Sequence, residues 1–86
     1  MHPRDRVPDW PNVPAVDPVD EVARRFAENV RKAIGDRSLR EAGELVGVDF
    51  STLGKIVRGT TWPDLETIAK LEVGFGVDLW PGRVKD

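Results

Sequence analysis

Side chains able to do covalent or metal chemistry are nearly missing from this sequence, whereas polar side chains suited to recognition crowd into one stretch. There is no cysteine and one histidine, His2, so thiolate metal sites, disulfide frameworks, cysteine nucleophiles and histidine-paired triads lack the residues they need. The carboxylates offer no acid–base pair, because Glu41 and Glu44 fall at the start and on the outer face of one short helical pattern with no nucleophile beside them. No catalytic, metal-binding or cofactor-binding residue is assigned, and the chain is read as a non-enzyme. Between positions 38 and 61, by contrast, stand Ser38, Arg40, Ser51, Thr52, Lys55, Arg58, Thr60 and Thr61. These are hydroxyls and cations, which suit non-covalent binding of polar or anionic partners.

Charge supports that concentration. The formal net charge is -2, which by itself disfavours a nucleic-acid partner, since Lys and Arg must displace counterions from phosphates. Its distribution is uneven: residues 1–21 carry two basic and five acidic side chains, whereas residues 22–61 carry eight basic and five acidic ones. A basic middle of net +3 behind an acidic lead of net -3 implies a patch-limited electrostatic footprint. No apolar run approaches the roughly twenty residues of a membrane span, and the N-terminal residues lack the apolar stretch of a secretory signal. The cytoplasm is the expected location.

The elements that must position these residues follow from local signals. Pro3, Pro8, Pro11 and Pro14, with no helical period before Val16, predict an extended, Pro-rich acidic arm over residues 1–16. Trp10 within it either packs back onto the domain or meets a partner. Asp17-Pro18 starts a helix, with Val19, Val22, Phe26, Val30 and Ile34 on its apolar face and Gly35 at its close. Ser38-Leu39-Arg40-Glu41 is a capping box opening a second helix that stops at Gly47. Asp49 caps a third, from Phe50 to about Arg58, ended by Gly59. Pro63-Asp64 starts a fourth, in which Leu65, Ile68, Ala69, Leu71, Glu72 and Phe75 give one apolar face, and Leu79-Trp80 folds back on the core. The domain spans residues 17–80 and residues 81–86 form a tail.

The informative unit is the helix pair from Leu39 to Arg58. A turn of only Gly47-Val48-Asp49 forces the two helices to cross steeply, with Ala42, Val46, Val48, Leu53 and Ile56 inward and Gly43 where the helices approach. This stretch resembles the helix-turn-helix of Cro and phage-repressor type, the XRE-like family. The likeness continues through Gly59, Pro63 and Leu65-Glu66-Thr67-Ile68, and covers about Val19 to Leu79. The family usually has a polar residue such as Gln where Leu39 stands, usually Ala at Gly43 and often an acid at Val57.

The resemblance implies an all-α, lambda-repressor-like domain of four to five helices that binds double-stranded DNA as a small transcriptional regulator, a phage or prophage repressor or Cro-like protein. The helix 50–58 then lies in the major groove with Phe50, Ser51, Thr52 and Lys55 as base readers. Gly54 would let backbone and DNA come close. Ser38, Arg40, Arg58, Thr60 and Thr61 would hold phosphates, with Arg31 and Arg37 as weaker candidates. An operator bound by a homodimer is the expected partner, with the fourth helix and Leu79-Trp80 as the surface where two copies meet. Three plainer readings stand beside these. Phe50 is either a base contact or a packing staple at the helix entrance; Arg24, Arg25, Arg31 and Lys32 are either functional or the solvated face of their helix; and Trp62 either flanks the DNA face or covers a core edge or a dimer contact. The competing function is a protein-interaction module, an antitoxin or anti-repressor, whose acidic arm binds a protein partner.

Overall fold

Side-chain caps and terminal glycines set the lengths of the helices in the computed structural model, which describes residues 1–7 and 9–84. Helix α1, Pro18–Ile34, begins where the Asp17 carboxylate accepts from the Val19 amide at 2.8 Å. Helix α2, Leu39–Val46, begins with the reciprocal box in which Ser38 Oγ accepts from the Glu41 amide and Glu41 Oε1 accepts from the Ser38 amide, both at 3.1 Å. Helix α3, Phe50–Arg58, is capped by Asp49, and helix α4, Leu65–Phe75, by Asp64. Each cap satisfies amide groups that the first helical turn leaves without partners. No strand occurs among the described residues.

One core joins the four helices. Phe26, Val30 and Ile34 from α1 meet Ala42 and Val46 from α2, Leu53 and Ile56 from α3, Leu71 from α4, and Leu79 beyond it. Burying each of these larger aliphatic side chains is worth about 1.5–3 kcal/mol. The inward set expected for the helix pair is buried except Val48, which is half-buried at the turn. The return after α4 is fastened by polar bonds: Asn29 Nδ2 donates to the Leu79 carbonyl at 2.9 Å, and Glu72 Oε2 accepts from the amides of Leu79 and Trp80. Leu79 is therefore a core residue and is removed from the surface on which two copies were expected to meet; Trp80 stays exposed.

The apolar period overreached at three positions. Val19, Leu65 and Ala69 continue the inward patterns of α1 and α4 but lie at the surface, the first two beside a recess between these helices.

The leading arm has little regular structure, one 3-10 turn over Pro3–Arg6. It is folded along the domain where an extended course was expected, with Pro3 and Val7 buried. Long-range polar bonds explain why proline content did not reveal this. Arg6 pairs with Asp20 at 3.2 Å, Trp62 Nε1 donates to the Met1 carbonyl at 3.2 Å, and Arg24 donates to the Pro11 carbonyl at 3.0 Å. Arg24 is consequently drawn off the solvated face of α1, where one reading had put it, into a network with Glu21 and Glu28. Arg31 and Lys32 remain exposed. In the expected tail, residues 81–84 are described, while Lys85 and Asp86 lie outside the described residues, as does Pro8 in the arm.

Candidate nucleic-acid interface

The helix pair closes on a backbone approach that only a small residue permits. A Cβ on Gly43 would stand 2.6 Å from the Val48 carbonyl oxygen and 3.3 Å from the Phe50 amide nitrogen, so the turn lies directly against α2. Gly47 leaves α2 in the left-handed region, at φ 73°, and its amide donates to the Gly43 carbonyl at 2.8 Å. A residue with a Cβ would be strained there. The start of α3 is thereby held rigidly beside α2.

At that start the polar side chains are already partly committed. Asp49 Oδ1 accepts from both the Ser51 amide, at 2.7 Å, and the Ser51 hydroxyl, at 2.6 Å. These bonds, the hydroxyl first, hold the Asp49 carboxyl below its ordinary range. With its proton given to Asp49, Ser51 Oγ faces solvent chiefly as an acceptor. Phe50 is exposed to 38 %, and the Arg40 guanidinium lies over its ring, 4.2 Å from the centroid. Neither plain alternative for Phe50 describes this: one face of the ring is covered by a cation from α2 and the remainder is open. Such stacking orients the guanidinium as well as the ring.

Ser51, Lys55 and Arg58 are exposed and, spaced by four and three residues, form one stripe along α3. Thr52 is half-buried at the edge of that stripe. Gly54, expected to be an open place for close approach, is buried. A Cβ there would stand 2.8 Å from an Arg58 guanidinium nitrogen and 3.3 Å from Leu39 Cδ1. Arg58 thus folds back along α3 over Gly54, toward Ser51, and the leucine that stands where the family usually has Gln covers the other side. Sequence reasoning placed Arg58 only among the phosphate-directed residues; its course along the Ser51–Lys55 stripe uses the space left by the missing side chain at Gly54.

Past α3, Gly59 turns the chain in the left-handed region, and the Lys55 carbonyl accepts from the Thr60 amide at 2.9 Å and its hydroxyl at 3.3 Å. Thr60 and Thr61 are half-buried. Ser38 is exposed at the start of α2, with its oxygen used in the capping box. The weaker candidates are engaged with their own helix: Arg31 pairs with Glu28 at 3.5 Å, and Arg37 donates to the Ala33 carbonyl. One residue escaped sequence reasoning altogether. Arg4 donates its amide to the Gly59 carbonyl at 2.9 Å and shares a recess with Asp9, Trp10, Val57 and Arg58. No local pattern signals a contact between positions so far apart.

No helix among the described residues is long and apolar enough to cross a membrane. A protein-family model described as helix-turn-helix matches residues 29–79, from the second half of α1 to Leu79 and more than half of the chain. No curated protein and no solved structure matches it.

Proposed function

This chain belongs to the Cro and phage-repressor, XRE-like type of helix-turn-helix DNA-binding regulator, and on that premise we propose that it is a sequence-specific repressor of the phage or Cro-like kind. Helix α3 enters the major groove, and two copies act on one operator in the cytoplasm. The observation that carries this reading is the exposed stripe Ser51–Lys55–Arg58, mounted on a helix that the Gly43 approach and the Asp49 cap hold fixed. Lys55 reaches guanine O6 and N7, and Ser51 Oγ, as an acceptor, suits the amino groups of adenine or cytosine. Phe50 and Thr52 lie beside them for contact with a thymine methyl. Ser38, Arg40, Thr60 and Thr61, with Arg58 at the far end of the stripe, serve the phosphates.

The competing reading, a protein-interaction module acting through the acidic arm, is weakened by the use that arm has within its own domain: Pro3 and Val7 are buried and Trp10 is bonded to α3.

Selection of bound sequences from a random duplex pool at two salt concentrations tests the proposal. A single motif should emerge from the wild-type protein, weaken with salt and blur at defined positions with Ser51→Ala/Lys55→Ala. Failure of any motif to survive physiological salt would overturn it and direct the search to a protein partner of the arm.

A further inference from the structure

We propose that Trp10 is a positioning residue for the DNA contact, holding the end of α3 and the turn that carries Arg58, Thr60 and Thr61. The proposal rests on the reading just given, that this face binds duplex DNA.

The last carbonyls of a helix have no partners within it and commonly turn to water. Here the Val57 carbonyl accepts from Trp10 Nε1 at 3.1 Å. The indole also fills the space above the next glycine. A Cβ on Gly59 would stand 2.5 Å from Trp10 Cε2 and 2.8 Å from its Nε1. The Gly59 carbonyl in turn accepts from the Arg4 amide at 2.9 Å. The same arm thus grips both sides of the turn that ends α3.

The arm is itself secured on either side of Trp10. Before it, Val7 is buried and Arg6 pairs with Asp20; after it, the Pro11 carbonyl accepts from Arg24. Trp10 does not belong to the central core formed by Phe26, Val30, Leu53, Leu71 and their neighbours. Its contacts go to Val57 and Gly59, which immediately flank Arg58. Helix ends loosen first when their backbone groups are exposed, and a displacement of about 1 Å is enough to weaken directed polar contacts. A bulky, hydrogen-bonded side chain from a distant segment removes that looseness where the phosphate-directed residues sit. Phe50, Ser51 and Thr52 at the start of α3 are held independently by Asp49 and Gly43, and Lys55 lies within the body of the helix, so Trp10 governs backbone contacts and leaves base preference alone.

The test compares the salt dependence of duplex binding for the wild type, Trp10→Ala, Trp10→Phe and Val30→Ala, all at a temperature where circular dichroism shows them folded. Val30→Ala removes fully buried methyl groups from α1 and serves as a destabilised control with an intact arm. With Trp10→Ala, the slope of log affinity against log salt should become shallower by about one, with affinity down about tenfold and base preference unchanged. Trp10→Phe, which keeps a ring over Gly59 but loses the bond to Val57, should fall between, and Val30→Ala should keep the wild-type slope. Should Trp10→Ala not fold, Trp10→Phe decides by the same slope. A wild-type slope in the folded Trp10 variants, or an equal change in Val30→Ala, overturns the proposal and leaves Trp10 as packing. A wild-type protein that binds no duplex overturns the reading beneath it as well, so the two failures are distinguished by the wild-type arm of the experiment.

Discussion

Glu21 shows how much a single side chain can carry in a chain this short. Its carboxylate, 4 % exposed, accepts from Arg24 through both oxygens at 2.7 and 2.8 Å, from Arg25 at 2.7 Å and from the Ala15 amide at 2.9 Å. The bond from Arg24 is the largest cause holding its pKa down to about 2, against an ordinary 4.5, with burial opposing it. A carboxyl whose folded-state pKa lies below its unfolded value stabilises the fold fully above the unfolded value and loses that contribution as pH falls through the folded one. Glu21 should therefore contribute on the order of 3 kcal/mol at neutral pH, lost between about pH 4.5 and pH 2. Thermal unfolding followed across that range should show the wild type losing its advantage over Glu21→Gln, the two curves converging at the acid end. An unchanging gap between them would refute the assignment. Glu41, Asp49, Asp64 and Glu72 are lowered too, each by bonds to backbone amides or a nearby hydroxyl, so the difference between the two proteins, not the fall itself, reports Glu21. None of this was legible along the sequence. Arg24 and Arg25 read first as a solvated helix face, and only the return of residues 11–15 over α1 supplies the carbonyl and amide that turn them into a network.

At the scale of elements the sequence was far more readable, because caps and terminators are local. Asp17, Ser38 with Glu41, Asp49, and the glycines at 35, 47 and 59 mark helix ends by chemistry that acts within four residues, and the helices begin and end there. Which side of a helix faces what is a different matter, since it depends on how the helices cross. Gly54 was expected on the open reading face, yet Leu39 from α2 and Arg58 from its own helix cover it. Two glycine-to-alanine substitutions separate these cases. In Gly54→Ala the new methyl meets the movable end of Arg58, at 2.8 Å, and a leucine methyl at 3.3 Å. The gain in helix propensity, up to about 1 kcal/mol, should offset that crowding, leaving the protein as stable as the wild type or slightly more so. In Gly74→Ala the methyl would stand 2.6 Å from Val46 Cα and 2.7 Å from its Cβ and Cγ1, where α4 crosses α2. Backbone cannot swing aside, so overpacking by about 1–3 kcal/mol should dominate. Denaturant midpoints measured on both variants check the contrast; equal shifts would mean that the α2–α4 crossing gives way as easily as an arginine does.

For the whole molecule the open question is how one small reading surface achieves selectivity. A single module of this kind reaches only a few base pairs in one groove, and operators that match a two-fold protein solve this by doubling the site. A recess of about 620 Å³ between α1, the segment after α3, and α4, bordered by Val19, Trp62, Leu65 and Trp80, is where we propose that a second copy docks. Leu65 is 84 % exposed and Trp80 53 %, and a contiguous apolar border of this kind marks an interaction surface more often than free solvent. Leu79 is buried and has no part in that surface, which puts the proposed contact toward the start of α4. Leu65→Gln is the discriminating change: it removes apolar surface without unsettling the core, and it adds no charge that would repel phosphate. On a duplex with two half-sites the wild type should bind with positive cooperativity, and Leu65→Gln should bind each half-site independently. Affinity for a single half-site should not change. Undiminished cooperativity in Leu65→Gln would move the meeting of two copies to another face, whereas a matching loss on single half-sites would make Leu65 part of the DNA contact itself.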